Sequence, residues 1–169
     1  MINAFKKSWQ NALILEGRTR RKDFWWALLL NTILMAILTL LFDFLSNITG
    51  SFGIVFDIID YIVAIIFYIV IFTLSVRRFH DIGRSMTIPV IMLVTSILSL
   101  GNEIIKEYHM DSQLDINNHI LIGIIAIIAL IYFIFLLAIC LICLAYCIQD
   151  SEKGTNQYGP NPKGETTQS

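Results

Sequence analysis

Four long apolar stretches, separated by short polar connections, restrict this chain more than any other feature. The residues from Phe24 to Phe42 include no charged side chain, and about 20 apolar residues in an α-helix cross a hydrocarbon core roughly 30 Å thick. Only 15% of the residues are charged, against about 25% in typical soluble domains, and the mean hydropathy is +0.71. The chain is therefore predicted to be an all-α membrane protein.

We predict a single membrane domain over residues 1–169, with four transmembrane helices at 24–45, 54–76, 86–101 and 120–148. The polar ends are 1–23 and 149–169. The third span is the shortest, and its Pro89 falls in the first helical turn, where proline disturbs little because no backbone N–H is needed there. The fourth is longer than a bilayer requires, so it must tilt or project beyond the membrane.

Basic residues are distributed unequally among the polar segments. Residues 1–23 contain six, the 77–85 connection contains three and the C-terminal tail contains two, whereas the remaining connections contain only Lys106. Lys and Arg are enriched on the cytoplasmic side of membrane proteins. The distribution therefore predicts that both termini and the 77–85 connection face the cytoplasm, with the acidic 102–119 connection outside.

The first residues form a separate amphipathic segment. Ile2, Phe5, Trp9 and Leu13 are spaced by three, four and four positions, which places them on one face of a helix. We expect this N-terminal amphipathic helix to lie in the cytoplasmic membrane interface. The alternative is a helix that packs under the transmembrane helices through the same face.

Three polar motifs occur in order along the chain: GRTRRKDFWW at 17–26, RRFHDIGRS at 77–85 and GTNQYGPNP at 154–162. Together they resemble the bacterial inner-membrane family catalogued as domain of unknown function 805. The resemblance implies a multi-pass protein of the bacterial cytoplasmic (inner) membrane, and it implies no established activity. Members usually have tryptophan after the serine of the second motif, where this chain has Met86 and Thr87.

The basic motifs predict a binding site for anionic lipid headgroups, or for a partner protein, on the cytoplasmic face. Each basic residue near an anionic leaflet contributes on the order of 1 kcal/mol. The alternative is that these residues set topology and pair structurally with the tail. Within the loop, the i,i+3 spacing of Asp81 and Arg84 also permits an ion pair. Topology alone, however, does not require a His–Asp sequence. The candidate residues are Arg18, Arg20, Arg21, Arg77, Arg78, His80, Asp81 and Arg84.

The tail motif supplies a second set of candidates. Its glycines and prolines are typical of turns. Because the motif recurs in the resembled family, the resemblance implies that Asn156, Tyr158 and Gly159 dock against the arginine-containing loop at 77–85.

Three aspartates, Asp43, Asp57 and Asp60, border the predicted outer surface. Intramembrane carboxylates suggest a cation or proton site, and Asp57 and Asp60 share one helical face. All three lie near the interface, where water reaches them, so solvated or capping roles are favoured. A small oligomeric transporter or channel that uses these aspartates is the alternative function, and it requires an oligomer because four helices alone form no path.

The sequence assembles no recognisable catalytic centre. A histidine base needs a substrate and an orienting partner. Phosphoryl transfer on lipid normally uses a metal clamp, and the sequence places no metal-binding cluster of carboxylates with His80. We therefore expect a non-enzymatic protein with no catalytic residues, metal, cofactor or nucleic-acid partner. Its expected partners are membrane lipids, and the formation of a homo-oligomer is left open.

Overall fold

The computed structural model describes residues 1–107 and 119–164, and within these ranges the chain is helical and contains no β-strand. A 3-10 turn, Gly50–Phe52, joins the second helix to the third. The prediction of an all-helical chain is confirmed, and each predicted span overlaps one of the four long helices. The helices are α1 (Ile2–Gln10), α2 (Arg21–Thr49), α3 (Gly53–Asp81), α4 (Thr87–Glu107) and α5 (His119–Ile148).

Three segments of the described chain are long and apolar enough to cross a membrane, judged by length and composition. They are Arg21–Asp81, Thr87–Lys106 and Leu121–Ile148. The first contains 61 residues because only the 3-10 turn separates α2 from α3. Helices suit this setting, since an α-helix satisfies its own backbone polar groups where no water is present to do so.

Helices α2 and α3 fold back on each other. A straight helix of 61 residues would be about 90 Å long, but the hydroxyl of Thr39 on α2 donates a hydrogen bond to Asp60 on α3 (3.1 Å). Gly50 turns the chain with a φ of +57°, which glycine adopts without steric cost. At Gly53 a Cβ atom would lie 2.6 Å from the backbone oxygen of Ser46, so this close approach requires glycine.

Helix α1 packs against α2 and α3. The indole N–H of Trp9 donates to the side-chain oxygen of Asn31 (3.0 Å), whose amide in turn donates to the hydroxyl of Ser8 (3.2 Å). Ser8 and Asn31 are buried, whereas Ile2 and Leu13 are exposed. The packed face therefore includes Trp9 of the predicted apolar stripe but leaves Ile2 and Leu13 exposed, because the Trp9 N–H donates to Asn31 and the Ser8 hydroxyl accepts from it.

Helix α3 continues beyond the predicted span and ends at Asp81. The Arg84 N–H donates to the Phe79 carbonyl (2.9 Å) and the Gly83 N–H donates to the His80 carbonyl (3.2 Å), the pattern of a Schellman C-cap. Gly83 has a φ of +70°, the left-handed conformation that such a cap requires. Much of the predicted 77–85 connection is thus the end of a helix.

Helix α5 is the least covered of the long helices. Its side chains from Leu121 to Leu141 are mostly exposed, whereas Cys143 and Cys147 are buried. These cysteines join a hydrophobic core where α3 and α5 end and α2 begins. The other buried members of that core are Ala4, Phe24, Ala27, Leu74 and Phe79.

Candidate functional site

The polar motifs meet at one end of the molecule, which we call the basic end. It comprises α1, the segment 17–23, the C-terminal end of α3 with its cap (77–84) and the tail (149–164). This end contains every candidate residue taken from the basic and tail motifs. The structure brings them together because α2 begins, and α3 and α5 end, beside the same hydrophobic core.

A buried ion network is centred on Asp81. Arg18 Nε donates to its Oδ1 atom (3.1 Å), and Arg78 Nη1 and the Ser151 hydroxyl (2.6 Å) donate to its Oδ2 atom. The side chains of Arg18, Arg78 and Asp81 are at most 1% exposed. A buried charge is tolerated when it is paired and hydrogen-bonded, so each member of this network depends on the others.

The two arginines of the network also hold the tail. Arg18 donates to the backbone oxygens of Glu152 (2.6 Å), Gly154 (2.9 Å) and Gly159 (3.2 Å). Arg78 donates to the carbonyl oxygens of Cys147 (3.2 Å) and Gln149. Five donors in a fixed fork allow a guanidinium to make several such bonds at once. Arg18 and Arg78 therefore lie inside the protein and bind the backbone of the tail.

The three candidate tail residues lie against His80 and Arg18. Asn156 donates to the His80 carbonyl (2.9 Å), and the Tyr158 ring stacks on the His80 ring with centroids 3.7 Å apart and planes 3° from parallel. Gly159 has a φ of +126° and forms a β-bridge with Asn156, which directs its carbonyl to Arg18. The tail is thus folded on the end of α3.

Arg77 differs from its neighbour Arg78. Arg77 as a whole is 6% exposed to solvent. Its Nε atom is buried and has no hydrogen-bond partner among residues 1–107 and 119–164. Its backbone carbonyl accepts from the Thr19 N–H (2.9 Å), but its side chain borders a cavity of about 250 Å³. That cavity is lined by Ala4, Lys7, Ser8, Arg18, Thr19, Arg20, Asp23, Leu74, Arg77 and Pro162.

The remaining candidate arginines are exposed at the surface. Arg20 pairs with Asp23 (2.6 Å), and Arg21 donates to the Ile148 carbonyl (3.1 Å). Arg84 lies over the Tyr146 ring, 5.2 Å from its centroid, rather than pairing with Asp81 as its i,i+3 position suggested. The helix ends before Arg84, so the regular helical spacing no longer applies there.

An exposed ion pair joins the two ends of the described tail. The Lys163 ammonium lies 2.7 Å from a carboxylate oxygen of Asp150, and this hydrogen bond holds the pKa of Asp150 below its usual value. Exposed pairs are screened by solvent, so the contact orients the tail more than it stabilises it.

A wider cavity of about 610 Å³ lies beside the His80–Tyr158 stack. Its lining offers His80 and the acidic Glu16 but no lysine or arginine. The Nδ1 atom of His80 is buried without a partner in the described part of the chain. This lining lacks the positive charge that an anionic ligand needs.

The candidate aspartates lie together at the opposite end of the molecule, which we call the acidic end. Asp43, Asp57 and Asp60 line a cavity of about 500 Å³ with Glu103, and Lys106 is the one basic residue beside them. Asp60 accepts the hydrogen bond from Thr39 already described. Within the described ranges, no group of three or more His, Cys, Asp or Glu residues is arranged to hold a metal ion.

The residues at the basic end that were not sequence candidates include Lys7, Ser151 and Glu152. Lys7 lines the Arg77 cavity, Ser151 bonds Asp81, and the Glu152 side chain accepts from Asn156 (2.8 Å). In the sequence, the position of Lys7 off the apolar stripe of α1 was the feature that indicated a polar role. Nothing local in the sequence marks Ser151, because its partner is 70 positions away.

Comparison with known proteins gives one finding. The model of a family described as protein of unknown function (DUF805) matches residues 12–160 of the 169-residue chain. Searches of curated proteins and of solved structures found no match. The matched range includes the Arg18–Asp81–Arg78 network and the tail segment that it holds.

Proposed function

The chain belongs to the DUF805 family of proteins of unknown function, as its three motifs predicted, and from its structure we propose a membrane role without catalysis. The protein spans the bacterial inner membrane four times with both termini in the cytoplasm, and its basic end binds anionic lipid headgroups or an acidic partner at that surface. The lipid is the favoured partner, because exposed cations surround the ends of the helices that we propose to span the membrane.

The folded-back pair α2 and α3, together with α4 and α5, supports four spans. In that arrangement the basic end and the acidic end lie on opposite sides of the bilayer. Basic residues are retained on the cytoplasmic side, so the basic end faces the cytoplasm. The exposed apolar side chains of α5 then contact lipid, which explains their lack of protein neighbours.

The observation that carries the proposal is that some cations of the basic end are buried and bonded, whereas others are exposed. Arg18 and Arg78 are buried and bonded within the protein. A second set remains at the surface: Lys6, Lys7, Arg20, Arg21, Lys22, Arg84, Lys153 and Lys163. Each basic residue near an anionic leaflet contributes a binding free energy on the order of 1 kcal/mol. Even a few of these residues therefore produce a clear preference for anionic lipid.

Native mass spectrometry with equal amounts of phosphatidylglycerol and phosphatidylcholine tests this proposal. The Lys6→Gln/Lys22→Gln/Lys153→Gln variant removes three exposed charges for which the structure gives no ion pair within the described ranges. We expect preferential phosphatidylglycerol adducts in the wild type and a reduced preference in the variant. Lys106→Gln, at the acidic end, is the matched control and should behave as the wild type.

Equal binding of both lipids by the wild type would contradict the proposal. So would a phosphatidylglycerol preference that the triple variant retains in full, because surface charge would then not be its cause.

A small oligomeric transporter or channel is the second candidate. The observation in its favour is the cavity that brings Asp43, Asp57, Asp60 and Glu103 together. Cation flux into liposomes that is abolished by Asp57→Asn or Asp60→Asn would support it. Flux that is absent in the wild type, or unchanged in both variants, would exclude this role for the aspartates.

A further inference from the structure

The cavity beside Arg77 is suited to a more specific ligand than a charged surface is. We propose that it is a binding pocket for a phosphoryl oxyanion, with the Arg77 guanidinium at its base. This inference rests on the proposed function, because it assigns a defined pocket within the basic end. It goes further in distinguishing one arginine and one cavity from the surface charges around them.

The first argument is the state of the Arg77 side chain. It is more than nine-tenths buried, and its Nε atom has no hydrogen-bond partner in the described part of the chain. Buried charges in proteins are paired, and a buried polar atom without a partner requires an explanation. An anion in the adjoining cavity supplies the missing acceptor.

The second argument is the contrast with Arg18 and Arg78. Both arginines donate to Asp81 and to several carbonyl groups, so these donor groups are already engaged within the fold. Arg77 is adjacent to Arg78 in sequence, yet it points away from this network because successive residues of a helix are about 100° apart. The network therefore holds the end of α3 in place and leaves Arg77 available to a ligand.

The third argument is the charge of the cavity lining. Lys7, Arg18, Arg20 and Arg77 contribute four basic groups, and Asp23 is the acidic residue among the lining side chains. Arg20 pairs with Asp23, and Arg18 shares Asp81 with Arg78, so Lys7 and Arg77 are the lining cations for which the structure gives no ion pair within the described ranges. Two uncompensated cations match a phosphate monoester, which carries about −1.5 to −2 charges at pH 7.

The size and shape of the site agree with this ligand. The cavity measures about 250 Å³, several times the roughly 30 Å³ that one water molecule takes in the liquid. A guanidinium presents parallel N–H groups that match two oxygens of a phosphoryl group. Lys7 belongs to α1, Arg77 to α3 and Pro162 to the tail, so an occupied pocket joins three separate parts of the chain.

A phosphoryl oxyanion can come from a lipid headgroup or from free phosphate, and the test separates these sources. Thermal unfolding is measured for the purified full chain in detergent with sodium phosphate, or with sodium chloride at equal ionic strength. It is also measured in nanodiscs that contain phosphatidic acid, phosphatidylglycerol or phosphatidylcholine. The proteins are the wild type, Arg77→Gln, Arg77→Lys and the control Lys22→Gln.

We expect phosphate, phosphatidic acid or both to raise the unfolding temperature of the wild type and of Lys22→Gln. Arg77→Gln should weaken the apparent affinity at least tenfold, and Arg77→Lys should restore it only in part, since lysine keeps the charge but loses the fork. A response to sodium phosphate indicates the free anion. A response confined to phosphatidic acid indicates the lipid headgroup.

The pocket is refuted if neither probe stabilises the wild type, or if Arg77→Gln responds as the wild type does. If Arg77→Gln does not fold, Lys7→Gln replaces it, because Lys7 is exposed and lines the same cavity. If neither phosphate nor phosphatidic acid stabilises the wild type, but the wild type still prefers phosphatidylglycerol to phosphatidylcholine, the pocket alone is refuted and the surface proposal remains intact.

Discussion

Replacing Asp81 with asparagine removes the carboxylate with which two buried arginines pair. Arg18 and Arg78 both donate to it, and all three side chains are at most 1% exposed. Asparagine has nearly the same shape and retains one acceptor oxygen, so the substitution removes charge without opening a cavity. The ion network can therefore be tested with little change in packing.

The expected cost follows from the contacts that remain. Removing one partner of a buried ion pair costs about 3–5 kcal/mol. Arg18 keeps its backbone acceptors at Glu152, Gly154 and Gly159, so we expect a loss near the lower limit, about 3 kcal/mol. Since each 1.4 kcal/mol is about a factor of ten in an equilibrium constant, the tail-open state should become about 100-fold more populated.

Limited trypsin digestion measures this change at Lys153, which lies between two tail residues whose carbonyls Arg18 holds. When opening and reclosing are fast, the cleavage rate follows the population of the open form. Asp150→Asn is the matched control, because Asp150 is exposed and pairs with Lys163. Its cleavage rate should remain close to that of the wild type.

An unchanged cleavage rate in Asp81→Asn would refute the reasoning, because the tail would then not depend on the buried carboxylate. Equal acceleration in Asp81→Asn and Asp150→Asn would refute it as well, since the effect would then come from net charge rather than from the buried network.

Three further changes test separate parts of the fold. Tyr158→Ala should increase hydrogen exchange of the tail amides while Tyr158→Phe should not, because ring stacking on His80 contributes about 0.5–1.5 kcal/mol; equal exchange in both would contradict this. Gly83→Ala should lower the unfolding temperature, because a left-handed φ of +70° costs a residue with a Cβ about 1–2 kcal/mol. Gly101→Ala, in open space on α4, should not lower it, and a similar loss in both would contradict the cap. Asn31→Leu should release α1, seen as faster proteolysis at Lys6 and Lys7, and unchanged proteolysis would show that the contacts of Trp9 and Ser8 with Asn31 do not hold the helix.

The long helices were predictable because apolar length is recorded directly in the sequence. The apolar run 54–76 predicted α3, but it did not predict that the helix continues to Asp81. Charged residues were assigned to a connection on the assumption that they face water. The structure extends the helix because Arg78 and Asp81 are satisfied by each other and by partners from distant segments.

The candidate site was predictable as a set of residues but not as an arrangement. Arg18 and Asp81 are 63 positions apart, and only the packing of α2 beside α3 reveals their pairing. Arg77 and Arg78 are equivalent in the sequence, and their different roles depend on which face of α3 meets the tail. Local spacing suggested that Asp81 pairs with Arg84, and this was wrong because the Schellman cap ends the helix between them.

The orientation of the basic end is the central claim, and cysteine labelling in intact cells tests it most directly. Ser51→Cys places a thiol between α2 and α3 and Lys153→Cys places one in the tail, both at exposed positions; the wild type, whose three cysteines lie on α5, measures the background. A membrane-impermeant maleimide should label Ser51→Cys in intact cells and Lys153→Cys only after lysis. Labelling of Lys153→Cys in intact cells would contradict a cytoplasmic basic end, and with it the proposed contact with the anionic inner leaflet.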